Sequence, residues 1–128
     1  MRVTHIITRL VIGGAQENTV ATVLGFVTET EYALARPTVV RVGDRLLMCF
    51  ASRGENYRIG AAGSEDGVTW TRLDAFVALG PSGNGWDSEM TCYPALFWHR
   101  EQLWLAYNGN GYGATGIGLA VWDGTLVV

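Results

Sequence analysis

The chain has little of what staples a small fold, binds metal or crosses a membrane. Among its 128 residues are two cysteines and two histidines. Cys49 and Cys92 each sit beside apolar residues and read as small buried core side chains, not as a disulfide framework. No C-x-x-C or H-E-x-x-H pattern occurs and His5 and His99 stand apart, so no metal and no cofactor is expected. There is no basic run and the net charge is only -3, which argues against a nucleic-acid partner. No apolar run approaches the roughly 18 residues that a membrane span needs. The N-terminus makes a poor signal peptide, because Arg9 splits its apolar stretch. The expectation from these absences is a soluble, cytoplasmic protein.

What is present is apolar and rich in turns. Hydrophobic residues make up 48% of the chain, enough for a packed core, and 17 glycines accompany many aromatic and β-branched residues. That mixture predicts strands joined by tight turns. The stretch Gly83–Gly113 concentrates three of the five tryptophans, a close pair of carboxylates (Asp87 and Glu89) and a Tyr-Asn-Gly-Asn-Gly-Tyr turn. Flat aromatic faces suit the C–H surfaces of sugars, while carboxylates and amides suit their hydroxyls.

The first thirty residues differ from the rest. Val3 to Ile7 reads as a short strand, Gly13-Gly14 as a loop and Ala15 to Phe26 as a helix, with Val20, Val23, Leu24 and Val27 at helical spacing. A strand, a glycine pair and a helix N-terminus can present backbone N–H groups to a phosphate; the same order also makes a plain strand-to-helix turn. HIITRLVIGGAQENTVATVLGF (5–26) resembles the opening of family 4 glycosyltransferases, whose glycine loop lies near the donor diphosphate. The resemblance ends there, and residues 27–35 carry no pattern that can be placed.

From Arg36 onward the chain repeats itself. Pro37 matches Pro94, Leu46 matches Leu103, Met48 matches Leu105 and Phe50 matches Tyr107, each 57 positions apart. Ile59-Gly60 and Ala62 match Ile117-Gly118 and Ala120 at 58. The alternation predicts strands over 37–42, 45–52, 57–63 and 70–77 in the first unit, and over 94–98, 102–108 and 115–122 in the second. An antiparallel repeat of this length is the signature of a β-propeller blade; an immunoglobulin-like sandwich stays open as the alternative, although it would not explain the internal match. The fold class is therefore mainly β: about two four-stranded antiparallel blades of a partial β-propeller (36–77 and 93–128, within 31–128), preceded by a short strand-helix segment (1–30).

Ser64-Glu65-Asp66-Gly67-Val68-Thr69-Trp70 resembles a short form of the Asp-box turn of propeller glycosidases. Asp66 is suited to accept turn N–H groups, Gly67 to take a positive φ and Trp70 to pack between sheets. Residues 36–72 and 86–122 together resemble five-bladed propellers related to glycoside hydrolase families 43, 32 and 68, and most of all glycosidase-like proteins of bacterial surface-polysaccharide clusters. In that fold the first strand of each blade lines the central channel. Arg36 and Tyr93, equivalent in the repeat, would then face it, with Trp86, Asp87 and Glu89 reaching the rim from the preceding loop.

The resemblance implies a glutamate acid and aspartates from other blades. Glu89 is the acid-like candidate, and Asp87 would share its face in an extended segment. Candidate substrate-binding residues are Arg36, Trp86, Tyr93, Asn108, Asn110 and Tyr112. Each has a structural alternative: Asp87 and Glu89 could hold their loop through backbone N–H groups, and Trp98 and Trp104 could pack between sheets. Arg53, Tyr57 and Arg58 could reach a ligand, or the arginines could pair with Glu55 or Glu65. A ring of five units needs more than this chain carries, so the expected function is a partial glycosidase-like propeller, weakly active or inactive, with carbohydrate as partner. The alternatives are a glycosyltransferase fragment and a non-catalytic, self-assembling β module forming homo-oligomers through open blade edges.

Overall fold

The structure, a computed structural model, describes residues 33–73 and 79–122. The expected strand and helix of residues 1–30, with the glycosyltransferase-like stretch 5–26, lie outside the described residues. The described chain is two antiparallel sheets. The first runs β1 (Ala33–Val42), β2 (Arg45–Arg53), β3 (Tyr57–Ser64), β4 (Thr71–Arg72), in that order across the sheet. The second runs β5 (Cys92–His99), β6 (Gln102–Asn108), β7 (Ile117–Val121).

The repeat is built into the register. β1 pairs Ala35 with Ala51 and Thr38 with Cys49, and β5 pairs Cys92 with Asn108 and Ala95 with Ala106. In each sheet an extra residue is therefore accommodated at the same place, next to Pro37 and Pro94. A bulge tolerates proline because the ladder is interrupted there. The bulges also explain where the strand bounds differ from expectation. β1 begins at Ala33 and β5 at Cys92, before each proline, because the extra residue breaks the period-2 pattern and hides the strand's start. Leu34, in a stretch with no placeable pattern, is a core residue at 2% exposure.

Farther along, Phe50 pairs with Gly60 and Tyr107 with Gly118. A Cβ on Gly60 would stand 2.6 Å from the Phe50 ring, and one on Gly118 would stand 2.5 Å from the Tyr107 ring. The two aromatics occupy the space that the two glycines leave open.

The sheets stack with β5 of the second closest to β1, β2 and β3 of the first, and the side chains of β6 complete the cluster between them. Leu47, Cys49, Ile59 and Ala61 meet Leu103, Leu105 and Tyr107. Burying each large apolar side chain contributes roughly 1.5–3 kcal/mol. Thr38 Oγ1 accepts the Leu96 N–H at 3.1 Å, and Trp98 Nε1 donates to the Arg41 carbonyl at 3.0 Å, joining β1 to β5. On the other face of the first sheet, Leu34, Met48, Phe50, Ala62 and Trp70 form a second cluster. Trp70 thus packs on the face turned away from the second sheet, not between the two. The turn before it is held by Asp66 Oδ1, which accepts the Val68 and Thr69 N–H groups at 2.8 and 2.7 Å, while Gly67 has a φ of 74°.

Two further expectations are modified. The fourth strand of the first unit, expected over 70–77, is Thr71–Arg72, with residues 74–78 outside the described part. The second unit shows three strands among the described residues, and its third begins at Ile117 because Thr115 and Gly116 serve the preceding turn.

Among the described residues the second sheet is covered on one face only. Ile117, Leu119 and Val121 are 72%, 62% and 45% exposed, and Phe97 is 40% exposed. Their equivalents in the first sheet are Ile59, Ala61, Gly63 and Val40, and Ile59, Ala61 and Val40 belong to the cluster that receives the second sheet. The open face of the second sheet thus repeats the face on which the second sheet itself sits. Among the described residues no helix is long and apolar enough to cross a membrane.

Candidate functional site

The two bulges deliver the first candidates. Arg36 and Tyr93 have φ values of 50° and 54°, a left-handed conformation that costs a non-glycine residue about 1–2 kcal/mol. Each interrupts its strand at the same end of its sheet, and the sheets stack so that the two residues meet. The Arg36 guanidinium lies 4.3 Å from the centre of the Tyr93 ring. Tyr93 stacks on Tyr112 with centroids 5.8 Å apart and planes at 24°. Tyr57, at the start of β3, closes a triad, its ring 6.0 Å from Tyr93 and 5.8 Å from Tyr112. Tyr112 is 50% exposed, leaving one aromatic surface open to solvent. Cys92, beside Tyr93, is fully buried; burial raises its thiol pKa, with the nearby Arg36 charge working the other way.

The loop carrying Asp87 and Glu89 separates them. Gly85–Asp87 is a single 3-10 turn, so the two carboxylates do not alternate as on a strand and the shared face does not form. Asp87 is 8% exposed and accepts from the Tyr107 hydroxyl at 3.0 Å and from Ser82 Oγ at 2.5 Å. Burial, and then this bond to Asp87, raise the Tyr107 pKa. Glu89 is exposed, while its backbone is held on both sides: its N–H donates to Asn110 Oδ1 at 2.9 Å and its carbonyl accepts from Arg58 at 2.6 Å.

The two asparagines are braces. Asn110 Oδ1 accepts the N–H groups of Glu89 and Met90, at 2.9 and 3.0 Å, and its amide donates to Ser88 Oγ at 3.0 Å. Asn108 donates to the Tyr112 carbonyl at 2.9 Å, within a turn where Gly111 and Tyr112 have φ values of 59° and 60°. That turn lifts the Tyr112 ring toward Tyr93. Trp86 packs inward, its ring 5.5 Å from Tyr107 and against Gly116 and Gly118, and its carbonyl accepts from Thr115 Oγ1 at 2.5 Å.

The structure therefore brings together Arg36, Tyr93 and Tyr112, sets Glu89 on a braced loop nearby in sequence, and assigns Asp87, Asn108, Asn110 and Trp86 to holding the loops. Sequence reasoning did not single out Tyr107 or Ser82. Tyr107 did carry a signal: it is the tyrosine that stands where the matched unit has Phe50, and its added hydroxyl is the group that binds Asp87. Ser82, in a glycine- and serine-rich loop, carried none. Arg53 and Arg58 do not pair with Glu55 or Glu65; the ion pair of Glu65 is with Arg45, at 2.8 Å. A cavity of about 370 Å³ opens at the opposite end of the first sheet, lined by Val42, Arg45, Leu47, Asp66 and Leu73, and contains none of the candidate residues. Among the described residues, no group of three or more His, Cys, Asp or Glu is placed to hold a metal ion.

No family model matches the chain. Two uncharacterised proteins of Mycobacterium tuberculosis, from strains CDC 1551 / Oshkosh and ATCC 25618 / H37Rv, are each 48% identical to it over 89 residues, which is 70% of this chain and 30% of theirs. The chain thus spans about a third of the length of these curated relatives. Among solved structures, the protein BT0996, in a complex with RGII, matches with a TM-score of 0.60 at 24% identity, over 77% of this chain and 35% of that one. A family 117 glycoside hydrolase of the marine bacterium Zobellia galactanivorans matches at 0.57 and 22%, over 71% and 29%. A GH43 endo-arabinanase from Bacillus licheniformis matches at 0.53 and 20%, over 69% and 32%. These likenesses lend no support to a glycosyltransferase. What they show is the fold: two antiparallel sheets of the kind that build these glycoside hydrolases.

Proposed function

We propose that this chain is part of a glycosidase-like β-propeller and binds carbohydrate at the bulge end of its two sheets. The observation that carries this is the Arg36–Tyr93–Tyr112 stack, an aromatic surface with a cation beside it, held on rigid strands by two strained bulges. Backbone strain of this kind persists at binding sites because the surrounding structure over-determines it. The likeness to glycoside hydrolases supports the same ligand class.

Glu89 is the carboxylate free to meet a ligand. Asp87 is committed to Tyr107 and Ser82, and glycoside hydrolysis needs two carboxyl groups flanking the scissile bond. In the loop before β5 Glu89 is then the one exposed carboxylate, and cleavage by a longer protein would draw its second carboxylate from elsewhere. The test is glycan binding followed by NMR or calorimetry with Tyr112→Ala and Glu89→Gln. Loss of binding in Tyr112→Ala with the fold retained supports the site, and unchanged binding in both variants removes it.

A structural reading has its own observation, the exposed apolar face of Phe97, Leu119 and Val121. It fits a module that packs against further sheets, and it is compatible with glycan binding at the other end of the strands.

A further inference from the structure

Two guanidinium groups lie against rings of the tyrosine triad, and a third is tied to the backbone beside it. Arg36 lies over Tyr93, Arg53 lies 5.9 Å from the centre of the Tyr57 ring, and Arg58 donates to the carbonyls of Tyr57 and Glu89 at 2.9 and 2.6 Å. All three arginines are exposed. Among the described residues the one ion pair, Arg45 with Glu65, is at the far end of the first sheet, so none of the three is neutralised by a carboxylate there. The acidic residues of the adjoining segments are Glu55, in the turn between β2 and β3, and Glu89; Asp87 is turned inward.

The chemistry of this arrangement favours one kind of ligand. Stacking uses the face of a guanidinium and leaves its N–H edge available, and that edge matches a planar carboxylate with two parallel hydrogen bonds. The bulge fixes the backbone of Arg36 and the Tyr93 ring holds its guanidinium, which reduces the side-chain freedom lost on binding. A neutral sugar would use the tyrosine faces and leave the three guanidinium groups with no carboxylate in ion-pair contact among the described residues.

We propose that the site takes an acidic glycan, one bearing uronic-acid residues, with Arg36 gripping the carboxylate edge-on, Tyr112 covering the sugar's C–H face and Arg53 and Arg58 adding to the local positive potential. This rests on the carbohydrate reading above and adds the charge of the ligand to it.

The experiment titrates the full chain with oligomers of glucuronate and of galacturonate, each beside the neutral oligomer obtained by reducing its carboxyl groups. The expected result is at least tenfold tighter binding of one acidic oligomer than of its neutral counterpart, with the advantage falling as salt is raised. Arg36→Met, which keeps the stem and removes the charge, is expected to bring the ratio close to one. Equal binding of each acidic and neutral pair overturns the proposal and leaves the carbohydrate reading standing; no binding by any oligomer overturns both. If Arg36→Met fails to melt as a folded protein, Arg53→Gln replaces it, and an unchanged ratio in that exposed variant counts against the proposal.

Discussion

The guanidinium of Arg36 rests on the ring of Tyr93, its own counterpart 57 positions along the chain, at 4.3 Å from the centroid. They occupy equivalent bulges with nearly the same φ, and stacked sheets bring the two bulges face to face. A double-mutant cycle with Arg36→Met and Tyr93→Leu should give a coupling of about 0.5–1 kcal/mol in urea denaturation, the usual value for an exposed cation over an aromatic ring. Additive single effects would show that the contact contributes nothing.

Gly118 is fixed by its neighbours. A Cβ there would lie 2.5 Å from the Tyr107 ring and 2.6 Å from the Trp86 ring, both set in the core. Gly118→Ala is expected to cost about 1–3 kcal/mol, as overpacking does, and Gly60→Ala a similar amount against Phe50. The check is the midpoint shift in chemical denaturation. Gly80→Ala, with open space around it, serves as the neutral control.

Removing the Tyr107 hydroxyl strips a donor from a buried carboxylate. Tyr107→Phe should cost about 1.5–3 kcal/mol, the range for hydrogen bonds to charged groups, and should loosen the loop that carries Glu89. Hydrogen exchange at Glu89 and Met90 reads the loop separately from global stability. Protection unchanged by the substitution would mean that Asn110 alone holds it.

Two titrations contribute to the pH dependence of stability with opposite signs. The Asp66 carboxyl is lowered to about 2, first by the N–H groups of Thr69 and Val68, so its contribution is present above the ordinary carboxylate range and fades as pH falls toward 2. Cys49 is raised to about 12 by burial, so the fold is favoured below the ordinary thiol range and loses that contribution as pH rises from there toward 12. NMR should place the Asp66 midpoint near 2, with the Val68 and Thr69 amides shifting together. Cys49 should resist alkylation at pH 8 until the chain unfolds; rapid labelling of the native protein would contradict this.

The open face of the second sheet should govern self-association. Leu119 is 62% exposed, and Leu119→Glu is expected to change stability by less than about 0.5 kcal/mol while lowering association in a sedimentation series. An unchanged concentration dependence would show that this face takes no part.

The sequence by itself determined the repeat, the strand pairs and the Ser64–Trp70 turn. These depend on alternation, on residues at a fixed offset and on side chains bonding to their nearest backbone, all of which are local. It also placed Arg36 and Tyr93 at equivalent positions. The tertiary structure decided that those positions meet. Alternation says that Leu47 and Met48 face opposite ways, not that Leu47 meets the second sheet while Met48 joins Trp70. The Asp87–Tyr107 bond spans twenty positions and turned an apparent carboxylate pair into one anchor and one exposed acid. The meeting of Arg36 with Tyr93 needed the two sheets to stack in register, because a contact between repeats depends on how their faces pack and not on the pattern within either one.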